Sequence, residues 1–331
     1  APVTEVHDKI ARLWLGYSSP QMSKVGLAPG IVETDSGRTH TVSACDTYDY
    51  DDGALVMKTN LPIGHMRTET FGVWGQPIMV RRFVFTPAPD FKGPFHLTTA
   101  MQLFADYSAI PPVGDAEAER VFKQAYTDPR EIPPTLKFPQ TETLTLDKVN
   151  GTAIWNYDNS YYRKAVVRVL EPDAVYHIGD RDTADTGQDQ AVFEGQNHGR
   201  LTMEIAGQGK PVTLTIALAF APTLDLASQT LNETSPTEMT LATVQNHWRD
   251  WVDSGAVVTT GQPKLDRAYR NQVMGYKMAQ DAELGGLIVG SRYHLTTVWT
   301  RDGGVGTTAL LNAGHYDEAK KSLRFFVDHA T

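Results

Sequence analysis

A single cysteine, Cys45, stands in 331 residues, so no intramolecular disulfide can form and no zinc site of the paired-cysteine kind can be assembled. The cores must hold by packing alone. No run approaches the roughly 18 consecutive apolar residues that a membrane-spanning helix needs. Clusters of basic residues are missing too: 30 Lys and Arg against 39 Asp and Glu leave a formal charge of -9. That balance excludes nucleic acid as a partner, because phosphate backbones are bound by basic patches. A neutral or cationic substrate fits better. No P-loop, dinucleotide fingerprint or nucleophilic-serine elbow occurs, and the ten His show no paired metal spacing. The opening Ala1-Pro2-Val3-Thr4 has neither an initiator Met nor an apolar signal, which predicts a mature, secreted or periplasmic chain whose export signal has been removed.

What is present is enough apolar content, 41% of the residues, to bury sizeable cores. From about residue 50 to 222 apolar residues alternate with period two, most plainly in Val212 to Phe220 and Leu201 to Ile205. That pattern predicts strands with one buried face. Further strands are predicted at Pro77 to Phe85, Phe95 to Phe104, Glu142 to Leu146, Thr152 to Tyr157 and Lys164 to Leu170. Many strands without intervening helices imply a large antiparallel β-sandwich over residues 1–234. Prolines at 111, 112, 129, 133 and 134 mark residues 106–140 as an excursion from it. Two acidic stretches, Asp46 to Gly53 and Asp180 to Asp185, offer oxygen ligands of the kind calcium takes. Neither has EF-hand spacing, and both are read as solvated turns. No cofactor is expected, a structural calcium being the one ion these stretches could take.

At Ser235-Pro236-Thr237-Glu238 the period changes. Ser, Pro and Glu at these offsets make a capping box, so a linker helix is expected within 235–262, with Trp248 and Trp251 on its packed face and Gly255 as its stop. Residues 263–331 then read as helices over Pro263 to Glu283, Asp302 to Asn312 and Tyr316 to His329, the last two forming a hairpin through Ala313-Gly314-His315. Leu310, Leu311, Leu323, Phe325, Phe326 and Val327 give this hairpin more apolar surface than one partner can cover, which predicts that it packs against something further.

Within this region Trp299-Thr300-Arg301-Asp302-Gly303 joins an indole, a guanidinium and a carboxylate at a helix start. Sugar hydroxyls both donate and accept, so a fork of donors beside an ionised acceptor can fix two neighbouring hydroxyls. An indole can pack on the apolar face of the ring. The plainer alternative is that Asp302 caps the helix and Arg301 makes a surface ion pair. Together with Gly286-Leu287-Ile288-Val289-Gly290 upstream, the stretch resembles glycoside hydrolase family 15, the glucoamylase and glucodextranase group. The resemblance implies that an (α/α)6 barrel begins after the sandwich and linker and is incomplete here. It also implies that Arg301 and Asp302 hold the terminal glucose of an α-glucan with Trp299 on the pocket wall. Family members carry an aromatic four residues before this Trp; Leu295 stands there, and Tyr293 is assigned the aromatic role.

The same resemblance implies inverting hydrolysis from the non-reducing end by two Glu, an acid and a base, spaced to admit water. Both lie on barrel loops beyond Thr331 in the family pattern, so no catalytic residue is expected among these 331. The chain is expected to be inactive without a second polypeptide that completes the barrel, or a C-terminal segment that does so. Two alternatives stay open: glucosyl transfer between α-glucans by the same fold, and a non-catalytic glycan-binding or scaffolding protein.

Overall fold

In the computed structural model, residues 29–42, 45–101, 141–147, 151–157, 164–180, 192–196, 199–221, 223–281, 284–287 and 300–329 are described. The excursion at 106–140 and the acidic run after Asp180 lie outside them. Alternation produces two antiparallel sheets, with strands numbered in chain order. The smaller runs β11 (Val175–Asp180), β13 (Gly199–Gln208), β7 (Pro94–Met101), β1 (Gly30–Glu33), β2 (Thr39–Thr41). The larger has nine strands: β12 (Val192–Gln196), β8 (Thr141–Asp147), β9 (Thr152–Tyr157), β10 (Lys164–Val169), β14 (Val212–Ala221), β6 (Ile78–Pro87), β5 (Gly64–Gly72), β4 (Ala54–Leu61) and β3 (Thr47–Asp51).

Inward residues of both sheets interlock in one core. Leu97 and Met101 of β7 meet Phe83 of β6, Leu214 of β14 and Trp155 of β9, all fully buried. Phe85 and Phe95 bridge the sheets edge to face, with centroids 5.1 Å apart, a geometry that adds to plain area burial.

The outer face of the larger sheet is a second core, which corrects the expectation of one buried face per strand. On β14, Leu214, Ile216 and Leu218 point into the sandwich, while Ala217, Ala219 and Ala221 face outward and are buried as well. Alanine's small volume lets helices lie close to the sheet there. The first, α1 (Leu224–Glu233), was not expected within the sandwich segment; it is capped by Thr223, whose side chain accepts from the Leu226 amide, and it buries Ala227 and Leu231. Its ten residues are too short a run to stand out among the strands.

The capping box at Ser235 forms, with Ser235 N donating to Glu238 Oε2 at 2.8 Å and Glu238 N to Ser235 Oγ at 3.3 Å. It closes a turn, however, and not the linker helix, which starts six residues later. That helix, α2 (Leu241–Asp253), takes Thr240 as N-cap and buries Val244, Trp248 and Val252 against the sheet. Gly255 stands just past the end of that helix, as expected, its amide donating to the Val252 carbonyl at 3.1 Å; a Cβ there would also lie 2.3 Å from the Ala313 carbonyl, so glycine is needed for close backbone approach. Next comes α3 (Pro263–Ala279), with Pro at its first turn and Val273 and Met274 buried. The hairpin α4 (Thr300–Asn312) and α5 (Tyr316–His329) closes the chain. Among the described residues no helix is long and apolar enough to cross a membrane.

The acidic stretch at 46–53 forms β3 and a tight turn, and its Asp49 and Asp51 side chains stay solvated at 59% and 51% exposure. Asp52 and Gly53 take positive φ, 41° and 79°, as a tight hairpin turn demands, and their carboxylate neighbours are met by arginines from the helices. Arg249 of α2 binds Asp52 at 2.5 Å, Arg267 of α3 binds Asp49, and Gln245 donates to Asp51 at 3.2 Å. Among the described residues no cluster of three or more His, Cys, Asp or Glu is placed to hold a metal.

Candidate functional site

Helix α4 carries the two described residues of the predicted sugar site on its first turn. Three glycines there cost helix stability, up to about 1 kcal/mol each, and two of them are explained by packing. A Cβ on Gly303 would sit 2.5 Å from the Phe326 ring of α5, and one on Gly306 would sit 2.8 Å from Leu287 and 3.2 Å from Tyr276 of α3. Thr307, one turn after Gly303, donates its hydroxyl to the Gly303 carbonyl at 2.7 Å. One face of α4, Gly303, Gly306, Thr307 and Leu310, is therefore buried, and the helix start projects from it.

Arg301 and Asp302 stand on that helix start. The Arg301 side chain is 85% exposed and that of Asp302 is 35% exposed, with 3.5 Å between guanidinium and carboxylate. Asp302 lies in the first turn, where negative charge is favoured by the helix N-terminus. The arrangement leaves guanidinium donors and carboxylate acceptors open to a polyhydroxylated ligand. Trp299 and Tyr293, predicted to complete the pocket, lie outside the described residues.

Leu287, from the glycine-flanked stretch upstream, packs with Leu310 and Ala319 in a small core under α4. Asp281 has a structural part: its Oδ1 accepts from the Leu284 amide at 2.6 Å. Gln280, buried at 5% exposure, donates to the Glu318 carbonyl and to Ser322 Oγ, both at 2.8 Å, tying the loop after α3 to α5. Sequence inspection missed this anchor and also the meeting of Trp251, Lys277, His315 and Glu318. Trp251 is legible as a packed residue, but nothing local marks Lys277, His315 and Glu318 as its partners. At that meeting point burial opposes ionisation of Glu318, but hydrogen bonds from Trp251 and Lys277 and the Lys277 charge outweigh it and hold the carboxyl below its usual range.

The hairpin also keeps apolar surface open. Val305 and Leu311 of α4 and Tyr316, Leu323 and Val327 of α5 are exposed, Val327 at 77%. Leu310, by contrast, is buried, and Phe326 is spent on the Gly303 seat.

The fold defines a class: an antiparallel β-sandwich followed by helices that cover one of its outer faces. No protein-family model matches the sequence, and no curated protein matches it. Among solved structures, a bacterial glucoamylase complexed with acarbose matches with a TM-score of 0.59 and 13% identity, over 90% of this chain and 43% of that one. A family GH92 α-mannosidase from Bacteroides thetaiotaomicron matches at a TM-score of 0.36 and 11% identity, over 76% of this chain and 30% of its own. Heparinase III gives 0.33 and 9%, over 59% and 24%. The last two are too distant to carry an argument. The first shows a shared fold, and this chain spans less than half of that protein's length.

Proposed function

We propose that this chain is the N-terminal part of an exo-acting α-glucosidase of the glucoamylase and glucodextranase kind, supplying sugar-holding residues and not the catalytic carboxylates. The observation that carries the proposal is the state of Arg301: on a helix start fixed by glycine packing, its guanidinium is 85% exposed beside a half-buried carboxylate. The fold shared with a glucoamylase supports the same reading, since fold narrows the chemistry without deciding it. In this role Arg301 donates to two adjacent hydroxyls of the terminal sugar, Asp302 accepts from one of them, and Trp299 and Tyr293 wall the ring. A second polypeptide or a further segment then seats on Leu311, Leu323 and Val327 and brings an acid and a base to opposite faces of the bond.

Titration calorimetry of the full chain with maltose and with isomaltose tests the sugar-holding role. Charge-assisted hydrogen bonds contribute about 1.5–3 kcal/mol each, so Arg301→Ala should weaken binding at least about tenfold. Binding that is unchanged by the substitution places any sugar site elsewhere, in the sandwich first of all. Native mass spectrometry of active material tests the division of labour: activity from this polypeptide alone would overturn it.

A further inference from the structure

Four chain segments meet at one buried polar junction. Trp251 of α2 lies face to face with His315, the residue before α5, at 3.9 Å between ring centroids and 11° between planes. The indole Nε1 donates to Glu318 Oε1 at 2.9 Å, and Lys277 of α3 donates to the same oxygen at 3.0 Å. His315 is 4% exposed, and its Nε2 is buried with no hydrogen-bond partner. Gly255 closes the space: a Cβ there would come within 2.7 Å of Nε2. Ala256 N donates to the Ala313 carbonyl at 2.7 Å, so the same contact joins the end of α2 to the turn of the hairpin.

We propose that this junction is a pH-operated latch, in which neutral His315 keeps the α4–α5 hairpin, with Arg301 and Asp302 on it, seated against α2, and protonation of the ring loosens the seat. A protonated imidazole carries a donor on each nitrogen, and among the described residues Nε2, packed beside Gly255, has no hydrogen-bond partner; the nearby Ala313 carbonyl already accepts from Ala256 N. The ring also sits at the positive end of α5, which disfavours a cation. The charged groups facing it are Glu318 from α5, which favours protonation, and Lys277 from α3, which opposes it; they are paired with each other at 3.0 Å and offset one another. On α2 the nearest carboxylate in sequence, Asp253, is bound to Arg270. Trp251 would attract the cation through its ring face, but desolvating a charge is the larger cost. Burial therefore holds the imidazole below its ordinary pKa of 6.5. The loosened state takes up the proton at that ordinary value and the latched state only at lower pH. Seating is thus complete above about 6.5 and weakens as pH falls below it, by up to about tenfold per unit until the latched ring itself titrates. The proposal stands whether or not the hairpin holds a sugar.

Hydrogen exchange of the full chain at pH 7.5 and pH 5.5, corrected for the intrinsic rates, tests the latch. The opening constant of α4 and α5 amides should rise severalfold, up to about tenfold, at the lower pH, while amides of β9 stay level. Carboxyls held low, Glu318 among them, do not titrate in this window. His315→Phe keeps the stacked ring without a titrating nitrogen and should abolish the pH response of the hairpin. Hairpin amides that open equally at both pH values, or a variant that keeps the full response, would overturn the latch. Should the variant fail to fold, NMR titration of the His315 ring in the unaltered chain decides: a pKa below the ordinary value supports the proposal, and one at or above it refutes it.

Discussion

Arginine meets aspartate in two places that look alike in composition and differ in what they do. At the β3–β4 hairpin, Arg249 reaches Asp52 across 197 residues of sequence and Arg267 reaches Asp49 across 218. These contacts join the edge of the nine-stranded sheet to α2 and α3. In the second place Arg301 and Asp302 are consecutive, and neighbours on a helix point in different directions, so their 3.5 Å approach fixes nothing beyond one turn. Long-range pairs constrain the fold and are used up in doing so. An adjacent pair on a helix start ties no distant elements together, and among the described residues the Arg301 side chain stays 85% exposed.

The comparison breaks most readily at the hairpin turn. Gly53 has φ +79°, and a Cβ there would lie 2.0 Å from Trp248. Gly53→Val combines a disfavoured backbone with a clash in a packed interface, and a loss of about 2–4 kcal/mol in urea unfolding is expected. A loss under about 1 kcal/mol would show that the acidic hairpin is not seated on α2. A smaller effect is expected from Asp52→Asn, since Asn tolerates the same positive φ while losing the charge. Its side chain is 14% exposed and its partner Arg249 is 45% exposed, so solvent screens the pair and the cost should be near 1 kcal/mol, falling as salt is raised. A cost independent of salt would mean that charge is not what holds the hairpin down.

Where a single period ran long enough, the fold was legible. Strand β9 and helix α5 fall on their predicted bounds, and β10 and β14 within a residue of theirs, because a half-buried strand or helix writes its buried face into the sequence. The second core was not legible, since Ala217, Ala219 and Ala221 read as filler until α1 lies over them. Local signals also fell short in two places. The box at Ser235 forms its hydrogen bonds yet closes a turn, and the acidic run at 46–53, solvated as it is, gives no hint of arginine partners some two hundred residues on. Long-range pairing leaves no mark in a local window. At the candidate site the residue types of Arg301 and Asp302 were readable. The glycine seats under them were not, because close approach is a property of the neighbour, here Phe326 and Leu287, and not of the glycine.

The smallest stability effect is expected at Arg301, and it is the one that sharpens the contrast. With the side chain 85% exposed and its ion pair among the described residues made with the adjoining Asp302, Arg301→Ala should change unfolding free energy by no more than about 0.5 kcal/mol, the range of surface substitutions away from caps and cores. Little salt dependence is expected either. Measured beside Asp52→Asn in the same urea series, it should give the flatter response. A loss above about 1 kcal/mol would place Arg301 among the fold's own contacts, and a weakened sugar titration by the variant would then report damaged structure. A near-neutral result frees that titration of the objection.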